Sequence, residues 1–308
     1  MDLRIDKNLS SFLKFLAAIT VALHHYSQYV CANHLSENIL YKVLSSQGGY
    51  LAVGIFFFLS GYGLMESEKK HHLSPIGFIK KRFLRVYLPV LLVTALWLPT
   101  RAYLFGEPLR TGGVIYDLFW GFHDGVLWFV RALLLLYLCF SLFIWIREKY
   151  NQTITIISIN LLTLCAIAVL QIVIGLADYS IISIPLFTIG ILASIFNKGQ
   201  TRQTLIYLVV WSIFISLYLL GNWALMIHAL FNFAFIFAAI LILALFPIRK
   251  TWAVPSIIGD ISYDIYLVHN KVLVALKFLF PIVPLYWFVG LSIIATGLFY
   301  LIRKALKF

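Results

Sequence analysis

His25 and His269 lie within apolar segments of this sequence, where ionisable side chains are costly. In the first segment His25 follows Lys14 by eleven residues, which at about 100° per residue puts both on one stripe of a helix. In the second segment Ser262, Tyr266 and His269 are spaced i, i+4, i+7 and share one face. Ionisable groups inside a membrane span usually face the bundle interior or a water-filled cavity. Since neutral imidazole can take up a proton near pH 7, the pair predicts a proton-handling site, although either histidine alone also fits a hydrogen-bonded packing role.

Cationic and aromatic side chains mark two further candidate binding regions. Arg82 and Arg85 lie three residues apart where a third apolar segment begins. A guanidinium binds phosphate bidentately, so the pair predicts a phosphate clamp, but such a run is equally typical of a positive anchor at the cytoplasmic face. Trp128 and Arg131 lie near the far end of a fourth segment. Trp128 fits an interfacial belt, and Arg131 either snorkels outward or binds an anionic or sugar group.

The elements that must position these groups are membrane spans. The 308 residues are 62% apolar and only 12% charged, whereas a soluble domain has about 25% charged residues. A span takes about 20 mostly apolar residues. We therefore predict an all-α, polytopic transmembrane helix bundle that forms a single domain over residues 1–308. Its ten spans are predicted at 10–30, 49–66, 83–100, 125–146, 153–174, 179–196, 204–220, 223–246, 257–280 and 284–302.

The loop charges predict the orientation of the bundle. With the N-terminus inside, 17 of the 24 Lys and Arg residues fall in cytoplasmic segments, three fall outside and four fall within spans. Lys and Arg accumulate in cytoplasmic loops, so both termini are predicted in the cytoplasm. His25 and His269 then lie at similar depths, about 22 and 18 Å along their helices, and are expected to meet in the outer half. The net charge of +12 is explained by this asymmetry and does not indicate nucleic-acid binding.

Five strings, in order along the whole chain, resemble the patterns of the membrane-bound acyltransferase family 3. They are residues 13–18 leading to His25, residues 52–62, Arg82-x-x-Arg85 followed by Pro89, residues 127–129 followed by Tyr137, and residues 262–269. Two positions depart from the family pattern. Lys14 stands where Arg is usual, which keeps the charge and loses the fork. Gly54 stands where Asp is frequent, so any help that this Asp gives the histidine must come from elsewhere.

The resemblance implies an acyltransferase that moves acetyl or another acyl group from acyl-CoA to hydroxyls of envelope sugars. It implies His25 as the general base, which would deprotonate the acceptor hydroxyl or relay the acyl group, supported by His269 and Tyr266. Arg82 and Arg85, with Lys14, are assigned to the acyl-CoA donor, which is a substrate and not a permanently bound cofactor. Ser60, Trp128 and Arg131 are assigned to the glycan acceptor, and we expect the protein in the bacterial inner membrane.

Two other functions are compatible with the sequence. One is a component of polysaccharide export without acyl transfer, which the loss of the Asp at Gly54 slightly favours. The other is a proton-coupled transporter that uses His25, His269 and Arg131. A metal enzyme is not indicated, because the adjacent His24 and His25 point apart on a helix and no HExxH pair exists.

Overall fold

The computed structural model describes residues 5–72, 74–106, 114–115, 125–196, 201–245 and 256–306. Within these residues the regular structure is entirely helical, and ten long helices follow one another. They are α1 Lys7–Ala32, α2 Ile39–His71, α3 Pro75–Phe105, α4 Trp128–Lys149, α5 Gln152–Val173, α6 Asp178–Ile195, α7 Thr201–Tyr218, α8 Trp223–Leu245, α9 Ser256–Leu279 and α10 Leu285–Ala305. The predicted all-helical bundle and the order of its ten segments are confirmed.

Eight of the ten helices in the described residues are long and apolar enough to cross a membrane. The other two, α1 and α9, contain 26 and 24 residues but are more polar. These two helices carry the candidate histidines and pack against each other. The bundle thus keeps its polar helices together, as expected where polar side chains must avoid lipid.

The segment between α2 and α3 differs from the prediction. A loop was predicted over 67–82, but α2 continues to His71, whose successor His72 has φ 42° in the left-handed region. The helix α3 then begins at Pro75, and the Ser74 hydroxyl caps it by accepting from the Gly77 amide. Hydropathy detects only the apolar part of a helix, so it missed charged turns that continue beyond the apolar stretch. Arg82 and Arg85 consequently lie about two and three turns inside α3 rather than at its start.

The start of α1 and the end of α10 lie at the same end of the bundle. The Ile5 amide donates to the Tyr62 hydroxyl at 3.3 Å, and Ser11 packs against Gly259. At the end of α10, Arg303 donates to the buried carboxylate of Asp264 at 3.0 Å. These contacts agree with an even number of spans. The cytoplasmic assignment of this end stays a prediction from the loop charges.

Close packing of α2 on α6 forms the centre of the fold. All residues from Pro185 to Ser194 of α6 are buried. A Cβ atom added to Gly61 of α2 would overlap the Phe187 carbonyl, and one added to Gly190 of α6 would overlap the Phe58 carbonyl. Small residues let membrane helices approach to backbone contact, so these two glycines set the separation of α2 and α6.

The helix α1 is fixed on two sides, which makes it a firm support for His25. On one side the Tyr26 hydroxyl donates to the Val283 carbonyl at 2.9 Å, and the Val283 amide donates to the Tyr29 hydroxyl at 3.0 Å. On the other side His24 Nδ1 lies 2.8 Å from the carbonyl oxygen of Leu44. Leu44 begins a π-helical turn, Leu44–Gly48, in α2, and such turns recur at functional sites.

Candidate active site

His25 and His269 meet across the contact between α1 and α9. Their ring centroids are 5.3 Å apart and their planes are inclined at 23°. His25 Nδ1 lies 3.0 Å from the side-chain oxygen of Gln28, and His269 Nδ1 lies 2.9 Å from the carbonyl oxygen of Ile265. An amide oxygen only accepts, so each Nδ1 carries the proton and each neutral ring keeps its lone pair on Nε2. The predicted meeting of the two histidines is confirmed.

His25 lines a cavity of 540 Å³ at the end of the bundle opposite the start of α1. This volume lies within the range of small-molecule sites, about 300–1,000 Å³. The helices α1, α2, α4, α6, α8 and α9 all contribute to its wall. Its polar groups are imidazoles, amides and hydroxyls, and its apolar surface includes the rings of Trp128, Tyr50 and Tyr179.

The rings of Phe129 and Tyr266 form the floor of this cavity, and the ring of Phe56 packs against both. Phe56, Phe129 and Tyr266 contact one another with centroid separations of 5.3 to 6.4 Å, and all three are buried. The hydroxyl of Tyr266 donates to the Val126 carbonyl just before α4. This contact joins α9 to α4 and holds the Tyr266 ring across the base of the cavity.

A cationic cluster lies beyond this floor, towards the end of the bundle where α1 begins and α10 ends. Lys14 is half-buried and interacts electrostatically with Arg82, which also interacts with the buried Tyr137. Tyr263 lies between the two regions: its ring is 6.3 Å from that of Tyr266, and its hydroxyl donates to the Val86 carbonyl at 2.8 Å. Lys14 and His25 are eleven residues apart on α1, which is about 16 Å along the axis. The site therefore has two polar regions separated by aromatic side chains.

The family model described as an acyltransferase domain matches residues 10–304, nearly the whole chain. This chain belongs to the acyltransferase 3 family. No curated protein and no solved structure matches it. The acyltransferase 3 assignment makes the protein a multi-pass membrane acyltransferase.

The predicted site residues of this acyltransferase divide between its two polar regions. His25, Tyr266 and Trp128 line the cavity, and His269 stacks on His25. Lys14 and Arg82 belong to the cationic cluster, whereas Arg85 is exposed on α3. The roles assigned to these residues stay predictions.

Two residues assigned to the acceptor lie elsewhere. Ser60 lies at the cationic cluster and not in the cavity, because its side chain hydrogen-bonds that of Tyr137. Arg131 is half-buried in α4 and is not among the described residues that line the cavity. Both residues were assigned because they lie in or next to the strings that resemble the family. Their positions in the sequence do not show which face of the helix each side chain is on.

Sequence reasoning missed the polar residues of α8. His228 lines the cavity, and Gln47 Nε2 lies 2.7 Å from its Nδ1. Asn232, one turn further along α8, is fully buried and donates to the Ser183 hydroxyl at 3.1 Å. His228 and Asn232 interrupt an otherwise apolar helix at i, i+4 spacing. That pattern is the signal that could have found them.

Asn232 occupies the space beside Gly54, where acyltransferase 3 members frequently have Asp. A Cβ atom added to Gly54 would lie 2.8 Å from Asn232 Oδ1 and 2.8 Å from Leu186 Cδ1. The Ser183 hydroxyl that accepts from Asn232 itself donates to the Tyr50 carbonyl at 3.2 Å. A polar group therefore remains at this point of the bundle, but it is a neutral amide supplied by α8.

The site offers no cluster of metal ligands in the part of the chain that the structure describes. His, Cys, Asp and Glu side chains there do not form a group of three or more that could hold a metal ion.

Proposed function

We propose that this acyltransferase moves an acyl group, acetyl in the simplest case, from acyl-CoA to a hydroxyl of an envelope polysaccharide or its lipid-linked precursor. The bacterial inner membrane is the proposed location. The observation that carries the proposal is the position of His25 on the wall of a cavity of small-molecule size, where its Nδ1 lies 3.0 Å from the Gln28 side-chain oxygen and its ring stacks on that of His269.

His25 acts as the general base in this proposal. Its Nε2 takes the proton of the acceptor hydroxyl while the hydroxyl oxygen attacks the thioester carbonyl carbon. A new C–O bond forms, the C–S bond breaks, and the CoA thiolate takes the proton back from His25. The products are the ester and free CoA, so no oxidant or further reactant is required.

The cationic cluster is the proposed contact for the donor. The phosphates of acyl-CoA are anionic and cytoplasmic, and Arg82 and Arg85 lie on the half of the bundle predicted to face the cytoplasm. Guanidinium groups bind phosphate in a fork geometry, and Lys14 adds a further positive charge. The thioester must then reach past the aromatic floor to the cavity, because the cluster and His25 are about 16 Å apart.

Replacement of His25 by Ala tests the proposal. We expect acetylation of the surface glycan to fall by about 100-fold or more, the typical contribution of a general base. The control is His71→Ala, because His71 is an exposed histidine at the end of α2. Both variants are checked for normal membrane insertion, and unchanged acetylation in His25→Ala removes the assignment.

Polysaccharide export is the alternative, and the Gly54 position is the observation that favours it. The absence of the Asp that is frequent in the family slightly favours a lost or altered chemistry. Deletion of the gene separates the two functions. A transferase mutant delivers a normal amount of unacetylated glycan to the surface, whereas an exporter mutant loses the glycan itself.

A further inference from the structure

His228 of α8 forms a small polar group with two residues of α2, on a part of the cavity wall away from α1. Its ring stacks on Tyr50, with centroids 5.1 Å apart and planes inclined at 23°. Gln47, in the π-helical turn of α2, lies 2.7 Å from its Nδ1. His228 and Tyr50 both line the cavity. The ring is thus fixed in rotation by a stack and a hydrogen bond, as expected of a side chain that must hold a ligand in one pose.

The protonation of His228 is opposite to that of His25. The Gln47 amide nitrogen donates to His228 Nδ1, which must therefore accept. A neutral imidazole then carries its proton on Nε2. His25 has the reverse arrangement, because its Nδ1 donates to Gln28. The cavity wall therefore carries two imidazoles in opposite tautomers, and the one of His228 has its N–H at Nε2.

The described lining of the cavity contains no Lys, Arg, Asp or Glu. Its hydrogen-bonding groups include the side chains of Gln28, Asn270, Ser45 and Ser46, which are neutral. The rings of Trp128 and Tyr179 add flat apolar surface. An ionised carboxylate or phosphate would lose its hydration here without a counter-charge, which is costly. An uncharged ring that carries several hydroxyls and has an apolar C–H face can hydrogen-bond the neutral polar side chains and also pack on the aromatic rings.

We infer that the cavity binds an uncharged sugar residue and that His228 donates a hydrogen bond from Nε2 to one of its oxygens. That bond fixes which hydroxyl faces His25. His228 is therefore a substrate-binding residue that determines specificity. This inference rests on the proposed function, because it names the class of acceptor.

Binding of simple glycosides tests the inference without any transfer chemistry. The purified full-length protein is placed in lipid nanodiscs, and ligand contact is measured by saturation-transfer NMR. The probes are the uncharged methyl β-D-glucopyranoside, methyl β-D-galactopyranoside and methyl α-L-rhamnopyranoside, with the anionic methyl β-D-glucopyranosiduronate for comparison. We expect at least one uncharged probe to bind, and the uronate to bind about tenfold more weakly because its carboxylate is desolvated without a partner.

Two variants of His228 separate the N–H donor from the shape of the ring. His228→Phe keeps a ring to stack on Tyr50 but lacks the donor, so we expect affinity for the bound probe to fall by about tenfold, the upper end for one neutral hydrogen bond. His228→Gln places an amide N–H near the position of Nε2 and is expected to recover most of the affinity. His71→Phe, at an exposed site on the same chain, is expected to bind like the native protein.

Three results overturn the inference: no uncharged probe binds, the uronate binds as well as the uncharged probes, or His228→Phe binds like the native protein. Failure of the proposed function gives a different result. Glycoside binding that depends on His228, without acetyl transfer from acetyl-CoA to any glycan, supports the sugar site and removes the transferase assignment.

Discussion

The imidazole rings of His25 and His269 stack with centroids 5.3 Å apart, and each ring is fixed in rotation by a hydrogen bond from its own Nδ1. The acceptors of these bonds, Gln28 and Ile265, lie on the same helices as the rings they orient. The stack therefore joins two independently oriented imidazoles. Its first consequence is mechanical, because His269 limits how the His25 ring can turn.

Removal of His269 tests this mechanical role. His269 is fully buried, so in His269→Ala the His25 ring gains freedom to turn away. We expect kcat to fall by about tenfold, the worth of one aromatic contact at the upper end of its range. His269→Phe keeps a flat ring against His25 and is expected to recover most of the rate. Equal losses in the two variants would show that His269 acts through its proton instead of its shape.

Much of the fold could be predicted from the sequence because the thickness of the bilayer sets the length of the apolar segments that cross it. The break at residues 175–178 was found since Gly175 is a natural helix end, and the structure gives it φ 70° between α5 and α6. The ends of α2 and α3 could not be found in this way. Helical turns that carry charge, such as those around Lys69 and Arg82, have no apolar signature.

The candidate site was only partly predictable, for a different physical reason. His25 and His269 were found because they lie on α1 and α9, respectively, which are the two more polar helices. Their similar depth in the bundle follows from the rise per residue of a helix. His228 and Asn232 lie on a strongly apolar helix, and nothing in their spacing says that α8 borders the cavity. That information resides in the packing of α8 against α2, which is long-range in the sequence.

The close approach of Gly61 to the backbone of α6 predicts a sharp difference between two glycines of α2. A Cβ atom on Gly61 would overlap the backbone of Phe187, which cannot rotate away, whereas a Cβ atom on Gly63 would meet nothing within 4 Å. We expect Gly61→Ala to lower the free energy of unfolding by about 3 kcal/mol, the upper end for overpacking. Gly63→Ala should leave it unchanged or slightly raised, since Ala favours a helix. Thermal unfolding of the detergent-solubilised protein measures both, and equal melting temperatures would contradict the close packing.

The space beside Gly54 yields a prediction that involves two residues. In Gly54→Ala the new methyl group would lie 2.8 Å from Asn232 Oδ1 and from Leu186 Cδ1. We expect a loss of about 1–3 kcal/mol, as for other small-to-large changes in a packed core. Asn232→Ala in the same chain removes one of the two close neighbours and should recover part of that loss.

A double-mutant cycle isolates the coupling between positions 54 and 232. Gly290→Ala is the control, because a Cβ atom there would meet nothing within 4 Å. Additive effects of Gly54→Ala and Asn232→Ala would mean that Asn232 does not fill the space at position 54.

The cationic cluster predicts unequal roles for the two arginines of α3. Arg82 is half-buried, near Lys14 and Tyr137, whereas Arg85 is exposed. If the cluster holds the phosphates of acyl-CoA, Arg82→Ala removes a contact made equally in the ground state and the transition state. The KM for acetyl-CoA should then rise by about tenfold or more with kcat little changed, since a hydrogen bond to a charged group contributes about 1.5–3 kcal/mol.

Arg82→Lys should recover only part of the lost affinity, because an ammonium group lacks the planar pair of donors with which a guanidinium binds phosphate. Lys81→Ala, at the exposed neighbouring position, is the matched control. Steady-state kinetics with varied acetyl-CoA measure all three variants, and a fall in kcat at unchanged KM would move Arg82 from donor binding to the chemistry itself.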